Sequence, residues 1–282
     1  MSDPLGSLSE AQRDLLEQWL PGHRIVRDHS WGLVETVVIE VEARGERFIV
    51  KAEGEANHHL GRELDAHERW LGPWVAADRA PRLLAGDRTA KILVTHHLPG
   101  HLVLGSPAQQ SPDTFRQAGE LLAMLHAQPS VLDPVYESNE NAKVLRNLDK
   151  PHRISPAVAS RLRERVGSWS EEPVALVPTH GDWQPRNWLV HEGRISVIDF
   201  GRASLRPALS DWLRLEAQDF RYDAAREAAF VDGYGCDPRA SSAWLRERTR
   251  EAINTAVWAH TVGDRAYESQ GHAMIERVLA DD

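Results

Sequence analysis

The chain has a single cysteine among its 282 residues. Cys236 therefore excludes an intramolecular disulfide and a cysteine-cluster metal site, and this scarcity fits a reducing cytoplasm. The sequence also lacks apolar runs of the ~18 residues that a membrane span requires. Its N-terminal residues have neither the basic nor the apolar region of a secretory signal. We therefore expect a cytoplasmic protein that does not contact membranes.

Positive charge is scarce as well. The 33 Lys and Arg residues face 42 Asp and Glu residues, which gives a net charge of −9, and no basic cluster stands out. This balance argues against nucleic acid as the main partner and is compatible with a cationic small molecule. The 14 histidines are scattered and form no H-E-x-x-H, so a histidine metal site is not expected. Hydrophobic residues make up 41% of the chain, enough for the core of one two-lobed unit or two domains.

A block of polar residues between positions 180 and 201 carries most of the functional information. Residues 180–187 are His-Gly-Asp-Trp-Gln-Pro-Arg-Asn, and residues 197–201 are Val-Ile-Asp-Phe-Gly. Asp182 and Asn187 are close enough in sequence to share one tight loop. Residues 188–191 and 195–198 read as two strands around a turn at 192–194, and such a hairpin would return Asp199 to the side of Asn187.

Two carboxylates and an amide at this spacing suit phosphoryl transfer. Asp182 could orient an attacking hydroxyl while Asn187 and Asp199 hold Mg²⁺ on nucleotide phosphates. The alternative is that all three residues occupy ordinary turns, which Asp and Asn favour. The occurrence of both segments in order, joined by a plausible hairpin, disfavours that alternative.

The block resembles the aminoglycoside phosphotransferase family, the antibiotic kinase and choline kinase branch of the protein-kinase-like fold. Gly181 and Gln184 stand where protein kinases carry Arg and Lys, which favours the small-molecule branch. The resemblance implies an α+β fold of two lobes. The smaller lobe, residues 1–97, would bind nucleotide with five strands and one helix. The larger, mostly helical lobe, residues 98–282, would carry the catalytic and substrate residues.

The hydrophobic pattern agrees with this organisation. In the first lobe it predicts a helix over 9–20 with Ser9 as N-cap, a helix over 56–71 stopped by Gly72-Pro73, and strands over 24–27, 34–41, 47–51, 81–84 and 91–95. Residues 97–100 are the predicted hinge. In the second lobe it predicts helices over 112–126, 156–169, 208–220, 223–234, 239–262 and 264–279, and residues 127–153 show no clear period.

Further residues are implied around the nucleotide. Lys51 can reach the α- and β-phosphates if a carboxylate fixes it. Glu63 and Glu68 on the next helix are rivals for that pairing, and the resemblance favours Glu63. The remaining nucleotide contacts would come from the loop between the first two strands and from main-chain groups beside the adenine: Ser30, Gly32, Thr95 and Leu98.

Four residues would support the catalytic loop. His180 is expected to fix the loop's shape through backbone hydrogen bonds. Arg186 and Arg202 could offset developing phosphate charge or pair with local carboxylates. Asp211 resembles a residue that ties down the loop in this family, and it or its neighbour could also act as a helix N-cap.

The acceptor is the least defined part of the sequence. Trp183 either packs in the core or shapes the acceptor pocket. The resemblance implies that carboxylates of late helices bind substrate amines, with four candidates: Glu216, Asp219, Asp264 and Glu268. Residues 201–282 hold 14 acidic and 11 basic residues, a small surplus that favours a cationic acceptor only weakly.

These features predict an ATP- or GTP- and Mg²⁺-dependent kinase that phosphorylates a hydroxyl of an antibiotic and confers resistance. The antibiotic would be an aminoglycoside, another cationic or peptide compound, or a nucleoside. One alternative is a metabolic kinase acting on choline, ethanolamine, homoserine or a sugar. The other is a nucleotide-binding pseudokinase that transfers nothing. We expect a monomer or weak dimer.

Overall fold

The computed structural model describes residues 7–30, 36–54 and 57–281. Gly32 and the predicted start of the second strand lie outside these ranges. Helix α1 (Glu10–Trp19) begins after Ser9, as predicted. The Ser9 hydroxyl accepts from the Gln12 N–H at 3.2 Å, and the Ser9 N–H donates to Gln12 Oε1 at 2.9 Å. This capping box satisfies N–H groups that have no partner within the helix.

The smaller lobe is built on one antiparallel sheet. Its strands are β1 (Arg24–Asp28), β2 (Thr36–Ala43), β3 (Glu46–Glu53), β4 (Leu83–Asp87) and β5 (Ile92–His96), in the order β1-β2-β3-β5-β4. Helix α2 (His59–Arg69) lies between β3 and β4 in the chain, so the prediction of a five-stranded lobe with an inserted helix is confirmed. Gly72-Pro73 does not simply end helical structure. It opens a short helix α3 (Gly72–Ala76), because the first turn of a helix tolerates proline.

The larger lobe is mostly helical, and the predicted α+β two-lobed architecture is confirmed. Its helices are α4 (Pro112–His126), α5 (Tyr136–Asn147), α6 (Pro156–Gly167), α7 (Leu213–Gln218), α8 (Ala224–Tyr234), α9 (Ser242–Val262) and α10 (Arg265–Ala280). Its short strands are β6 (His101–Leu102), β7 (Val131–Asp133), β8 (Val174–Thr179), β9 (Trp188–His191), β10 (Arg194–Val197) and β11 (Ser204–Arg206). Among the described residues, no helix is both long and apolar enough to cross a membrane.

Helix α5 and strands β6, β7, β8 and β11 were not predicted. The residues that α5 buries are Glu137, Asn141 and Val144. Two of these three are polar, so the buried face of α5 carries no hydrophobic period that the sequence could reveal. The predicted helix over 208–220 divides into a 3-10 segment (Ala208–Trp212) and α7.

Two glycines set how closely the central helices pack. Helices α4 and α8 approach so closely that a Cβ on Gly119 would lie 2.3 Å from the Phe230 carbonyl oxygen. A Cβ on Gly233 would lie 2.0 Å from the Arg116 carbonyl oxygen. Only glycine fits at either position, and the resulting helix pair supports the strands that carry the polar block.

The predicted hairpin within the polar block is confirmed. Strands β9 and β10 pair antiparallel, with Trp188 opposite Val197 and His191 opposite Arg194. The pairing extends by one step, because the Ile198 N–H donates to the Asn187 carbonyl oxygen at 3.0 Å. Asp199 therefore returns to the side of Asn187.

Candidate active site

Lys51 lies on β3, where the sheet meets the larger lobe. Its Nζ donates to Glu63 Oε1 at 2.7 Å and to Oε2 at 3.0 Å, and lies 3.5 Å from Asp199 Oδ1. Burial lowers the pKa of Lys51, but the carboxylates of Glu63 and Asp199 outweigh it and hold that pKa above its ordinary value. Glu68 instead pairs with Arg88 at 2.6 Å on the exposed side of α2. Of the two rivals, the structure brings Glu63 to Lys51.

The loop at 180–182 is fixed through its backbone. The buried Asp211 carboxylate accepts from the N–H groups of His180 at 2.8 Å and Gly181 at 2.6 Å, and its Oδ2 lies 3.2 Å from His126 Nε2. Burial raises the pKa of Asp211, but the contacts with His126 outweigh it and leave that pKa below its usual range. The N-cap interpretation of Asp211 is wrong. Asp211 lies inside the 3-10 segment, and both of its carboxylate oxygens accept hydrogen bonds from the loop.

His180 and Gly181 complete this support. His180 Nε2 lies 3.1 Å from the Ile198 carbonyl oxygen, while Nδ1 lies 3.3 Å from the Asp182 nitrogen. The ring therefore links the loop to the end of β10. Gly181 has a φ of +78°, and a Cβ there would lie 2.2 Å from the Arg202 carbonyl oxygen, so a side chain is excluded.

Asp182 is buried among donors. Arg214 Nε lies 2.8 Å from its Oδ1, Arg186 Nη2 lies 2.6 Å from its Oδ2, and Asn187 Nδ2 donates to Oδ2 at 3.1 Å. Gln184 Nε2 donates to Oδ1 as well. Burial raises the pKa of Asp182, but the charges of Arg214 and Arg186 outweigh it and lower the pKa to about 2. The Asp182 carboxylate is therefore held in place and ionised at neutral pH, as a hydrogen-bond acceptor.

Asn187 and Asp199 form an oxygen-rich edge beside this carboxylate. The Asn187 amide nitrogen donates to the Asp182 carbonyl oxygen at 2.7 Å, which leaves its side-chain oxygen facing away from these bonds. The Asp199 side chain is 54% exposed and takes a left-handed φ of 67°. The charge of Lys51 lowers the pKa of Asp199.

This pair fits Mg²⁺. Carboxylate and amide oxygens are suitable ligands, and Mg²⁺ in kinase sites is held by one or two carboxylates plus substrate phosphates. In the described part of the chain, no group of three or more His, Cys, Asp or Glu residues could hold a metal without such help. Asn187 and Asp199 could thus hold Mg²⁺ together with the oxygens of bound phosphates.

The remaining predicted nucleotide residues differ in their surroundings. The Ser30 hydroxyl accepts from the Val38 N–H at 3.0 Å and thereby ties the loop after β1 to β2. Thr95 is buried in β5 and pairs with Ile49 of β3. Leu98 follows this strand and is half-buried. Gly32 lies outside the described residues.

A cavity of about 500 Å³ opens beside Asp182. The loop that holds Asp182 contributes Gly181 and Trp183 to its lining, and the segment after the hairpin contributes Arg202, Ser204 and Arg206. Helices α5, α7 and α9 and the 3-10 segment supply the other charged and polar groups: Tyr136, Glu140, Lys143, Ser210, Asp211, Arg214, Glu247, Arg250, Glu251 and Asn254. Trp183 is 1% exposed and stacks on Trp74 at 5.6 Å, so it belongs to the core and borders the cavity.

The four predicted acceptor carboxylates are not among the cavity-lining residues. Glu216 lies 4.0 Å from Arg248, and Asp219 is buried 3.9 Å from Arg226. Asp264 caps α10 by accepting from the Tyr267 N–H at 3.0 Å. Glu268 is buried and bonded to Arg153 at 2.8 Å and to His260 at 3.1 Å. Their role toward an acceptor stays a prediction.

Sequence reasoning missed Arg214 and Glu251. Arg214 contacts Asp182 directly, and Glu251 faces the same cavity. Burial raises the pKa of Glu251, with partial offset from Arg214 and Arg202. Both lie on helices far along the chain from residue 182, and their spacing carries no recognisable pattern. Only the packing of α7 and α9 beneath the loop identifies them.

Comparison with known proteins identifies the family of this chain. Residues 28–251 match the model of the phosphotransferase enzyme family, APH. The chain belongs to this family. Comparison with curated protein sequences gives no match.

Solved structures of similar fold include enzymes with different acceptors. One is aminoglycoside phosphotransferase APH(4)-Ia, as a thermostable mutant in complex with ADP and hygromycin B (TM-score 0.70, 13% identity, 96% of this chain and 98% of that chain covered). Another is choline kinase LicA from Streptococcus pneumoniae (0.69, 15%, 96% and 98%). A third is macrolide 2'-phosphotransferase MphH from Brachybacterium faecium (0.58, 19%, 94% and 97%). At these identities the likeness shows the fold, and the acceptor stays open.

Proposed function

We propose that this phosphotransferase moves the γ-phosphoryl group of ATP to a hydroxyl of a small molecule with the help of Mg²⁺. The proposal depends mainly on the proximity of two groups of residues. Asn187 and the ionised Asp182 form the first, and Lys51, Glu63 and Asp199 form the second. GTP is an alternative donor. A cytoplasmic location and a monomeric or weakly dimeric state stay predictions.

Asp182 is the proposed catalytic residue. Its carboxylate orients the acceptor hydroxyl toward the γ-phosphorus and accepts the hydroxyl proton as the new O–P bond forms and the bond to ADP breaks. A pKa of about 2 makes Asp182 a weak base. This is compatible with phosphoryl transfer, in which positioning and charge stabilisation contribute more than proton abstraction. Arg186 and Arg214 hold the carboxylate in place.

The proposed nucleotide contacts follow from the second cluster. Lys51, positioned by Glu63, binds the α- and β-phosphates. Asn187 and Asp199 are the proposed ligands of Mg²⁺, which would neutralise phosphate charge when bound. Ser30, Gly32, Thr95 and Leu98 are proposed to line the nucleotide. His180, Arg202 and Asp211 are proposed to support the loop and its surroundings.

An antibiotic is the acceptor that we favour, and resistance would be the biological outcome. The likeness to aminoglycoside and macrolide phosphotransferases supports this choice. A metabolic kinase is the second candidate, supported by the comparable likeness to a choline kinase. The complete set of Lys51, Asp182, Asn187 and Asp199 argues against a pseudokinase.

Turnover with purified full-length chain tests the proposal. We would supply Mg·ATP with a panel of aminoglycosides, macrolides, peptide and nucleoside antibiotics, choline, homoserine and sugars, and detect phosphorylated product by mass. We expect one class to be phosphorylated by the wild-type protein and not by Asp182→Asn. Product formation that persists in Asp182→Asn would contradict the catalytic assignment. Tight Mg·ATP binding without product from any class would favour the pseudokinase.

A further inference from the structure

The charges around the acceptor cavity are not balanced. Three of its cationic side chains are neutralised by carboxylates. Lys143 pairs with Glu140 at 3.0 Å, Arg214 with Asp182 at 2.8 Å, and Arg250 with Glu247 at 2.7 Å. The other two, Arg202 and Arg206, have no carboxylate at ion-pair distance in the part of the chain that the structure describes.

Arg206 is held in position by neutral groups. Its Nη1 donates to Thr179 Oγ1 at 3.2 Å and to the Arg202 carbonyl oxygen at 3.0 Å. The same nitrogen would lie 2.4 Å from a Cβ on Gly181, so the guanidinium lies directly against the catalytic loop. Since a guanidinium has several N–H donors in a planar fork, these two bonds leave donors available to a ligand.

Arg202 is the exposed member of this pair. It borders the cavity, and its charge contributes to lowering the pKa of Asp182. The two arginines therefore form a cationic wall, Arg202 and Arg206, next to the carboxylate that would orient the acceptor hydroxyl.

No acidic group of the cavity forms an ion pair with this wall in the described part of the chain. Glu140 and Glu247 are engaged by Lys143 and Arg250, and Asp211 is engaged by the loop amides. Glu251 is the remaining carboxylate; burial raises its pKa, and the charges of Arg214, Arg202 and Arg206 partly offset that rise. A polycationic acceptor would thus meet two arginines that have no carboxylate at ion-pair distance among the described residues.

We propose that Arg202 and Arg206 bind an anionic group of the acceptor, a carboxylate or a phosphate, so that the preferred acceptor is an acidic or zwitterionic hydroxyl compound. This inference rests on the proposed function, because it places the anionic group beside the hydroxyl that Asp182 orients. Arginine suits both anions, since its fork can donate two parallel hydrogen bonds. Anion binding by these two arginines also argues against a simple polycation, such as an aminoglycoside, as the acceptor.

Binding to matched pairs of compounds tests this. The full chain would be saturated with Mg²⁺ and AMP-PNP, so that nucleotide phosphates occupy their own site. Calorimetry would then compare ribose 5-phosphate with ribose, and homoserine with 3-aminopropan-1-ol, which lacks only the carboxylate. We expect the acidic member of at least one pair to bind roughly ten- to a hundredfold more tightly. The pair that shows the preference distinguishes phosphate from carboxylate.

Variants connect the preference to the two arginines. Arg202→Gln and Arg206→Gln should each reduce it, and Arg206→Lys should restore part of it by returning the charge. Arg265→Gln, at the exposed first turn of α10, is the matched control and should keep it. Equal binding within both pairs, or a preference that survives both glutamine variants, would overturn the proposal. So would a loss of AMP-PNP affinity in place of the anion preference, because the arginines would then serve the nucleotide.

Turnover on the same samples separates this inference from the proposed function. An anion preference without phosphorylated product would contradict the proposed function but support anion binding by the cationic wall. Phosphorylation of neutral or cationic acceptors that the glutamine variants do not change would support the proposed function. It would contradict anion binding by the cationic wall.

Discussion

Asp182 divides the cleft into two regions that differ in how their charges are arranged. On the nucleotide side, Lys51 lies between two carboxylates, with Glu63 at 2.7 Å and Asp199 at 3.5 Å. On the acceptor side, the cavity is lined by the loop that holds Asp182, by the segment after the hairpin and by helices α5, α7 and α9. Two of its arginines, Arg202 and Arg206, lie at ion-pair distance from no carboxylate among the described residues. The comparison indicates that the charged groups on the nucleotide side already contact one another, whereas we propose that the arginines on the acceptor side bind an anionic ligand.

The largest effect should come from Asp182→Asn, at the boundary of the two regions. The amide keeps the shape but loses the ionised acceptor that orients the hydroxyl, so kcat should fall roughly 10²- to 10⁴-fold. Steady-state kinetics with an acceptor from the panel would measure this, with Asp14→Asn on the exposed face of α1 as control. Mg·ATP affinity should change little. Near-normal kcat would remove Asp182 from the mechanism.

Asp199→Asn should act on the nucleotide side alone. Asparagine tolerates the left-handed φ of this position, so the loss of charge is tested without backbone strain. Mg²⁺-dependent ATP affinity should weaken about ten- to a hundredfold, because a charged ligand of the metal becomes neutral. Calorimetry with and without Mg²⁺ would measure it. Unchanged Mg·ATP affinity would contradict the metal assignment.

Glu63→Gln and Glu68→Gln form a matched pair on one helix. Glu63→Gln removes the charge that positions the buried Lys51 and should raise the KM for ATP about tenfold. Glu68→Gln breaks only the exposed pair with Arg88 and should change KM by less than about twofold. Equal effects of the two substitutions would mean that the Lys51–Glu63 pair does not position the nucleotide.

Arg214→Gln tests the acceptor side through pH. Asp182 is active as the ionised form, so activity is lost as pH falls through its pKa. The charge of Arg214 lowers that pKa, and its removal should raise it. The acidic limb of the kcat/KM profile should therefore shift to higher pH in Arg214→Gln. An unshifted limb, with the same acceptor, would show that Arg214 does not tune Asp182.

Asp264→Ala should have the smallest effect. Its carboxylate caps α10 and is absent from the cavity lining, so the free energy of unfolding should fall by about 1 kcal/mol while the kinetics stay unchanged. Urea unfolding and acceptor KM would be measured together. A raised acceptor KM would restore Asp264 as a substrate residue.

The same two regions differ in how well their residues could be predicted from the sequence. The nucleotide side was predictable because Asp182, Asn187 and Asp199 lie in one block, where a hairpin alone brings them together. Glu63 was preferred to Glu68 through family resemblance, and the Lys51 pairing agrees. The acceptor side depends on α5, whose buried face is polar, and on the packing of α7 and α9. Such contacts between distant segments leave no periodicity or spacing in the sequence, so Arg214 and Glu251 could not be recognised.

The most direct test of the account is a crystal structure of the full chain with Mg²⁺ and AMP-PNP. We predict the metal between the side-chain oxygens of Asn187 and Asp199, Lys51 on the α- and β-phosphates, and the γ-phosphate facing the cavity beside Asp182. A metal held by other residues, or a nucleotide bound away from Lys51 and Asp182, would contradict the assignment of this cleft to phosphoryl transfer.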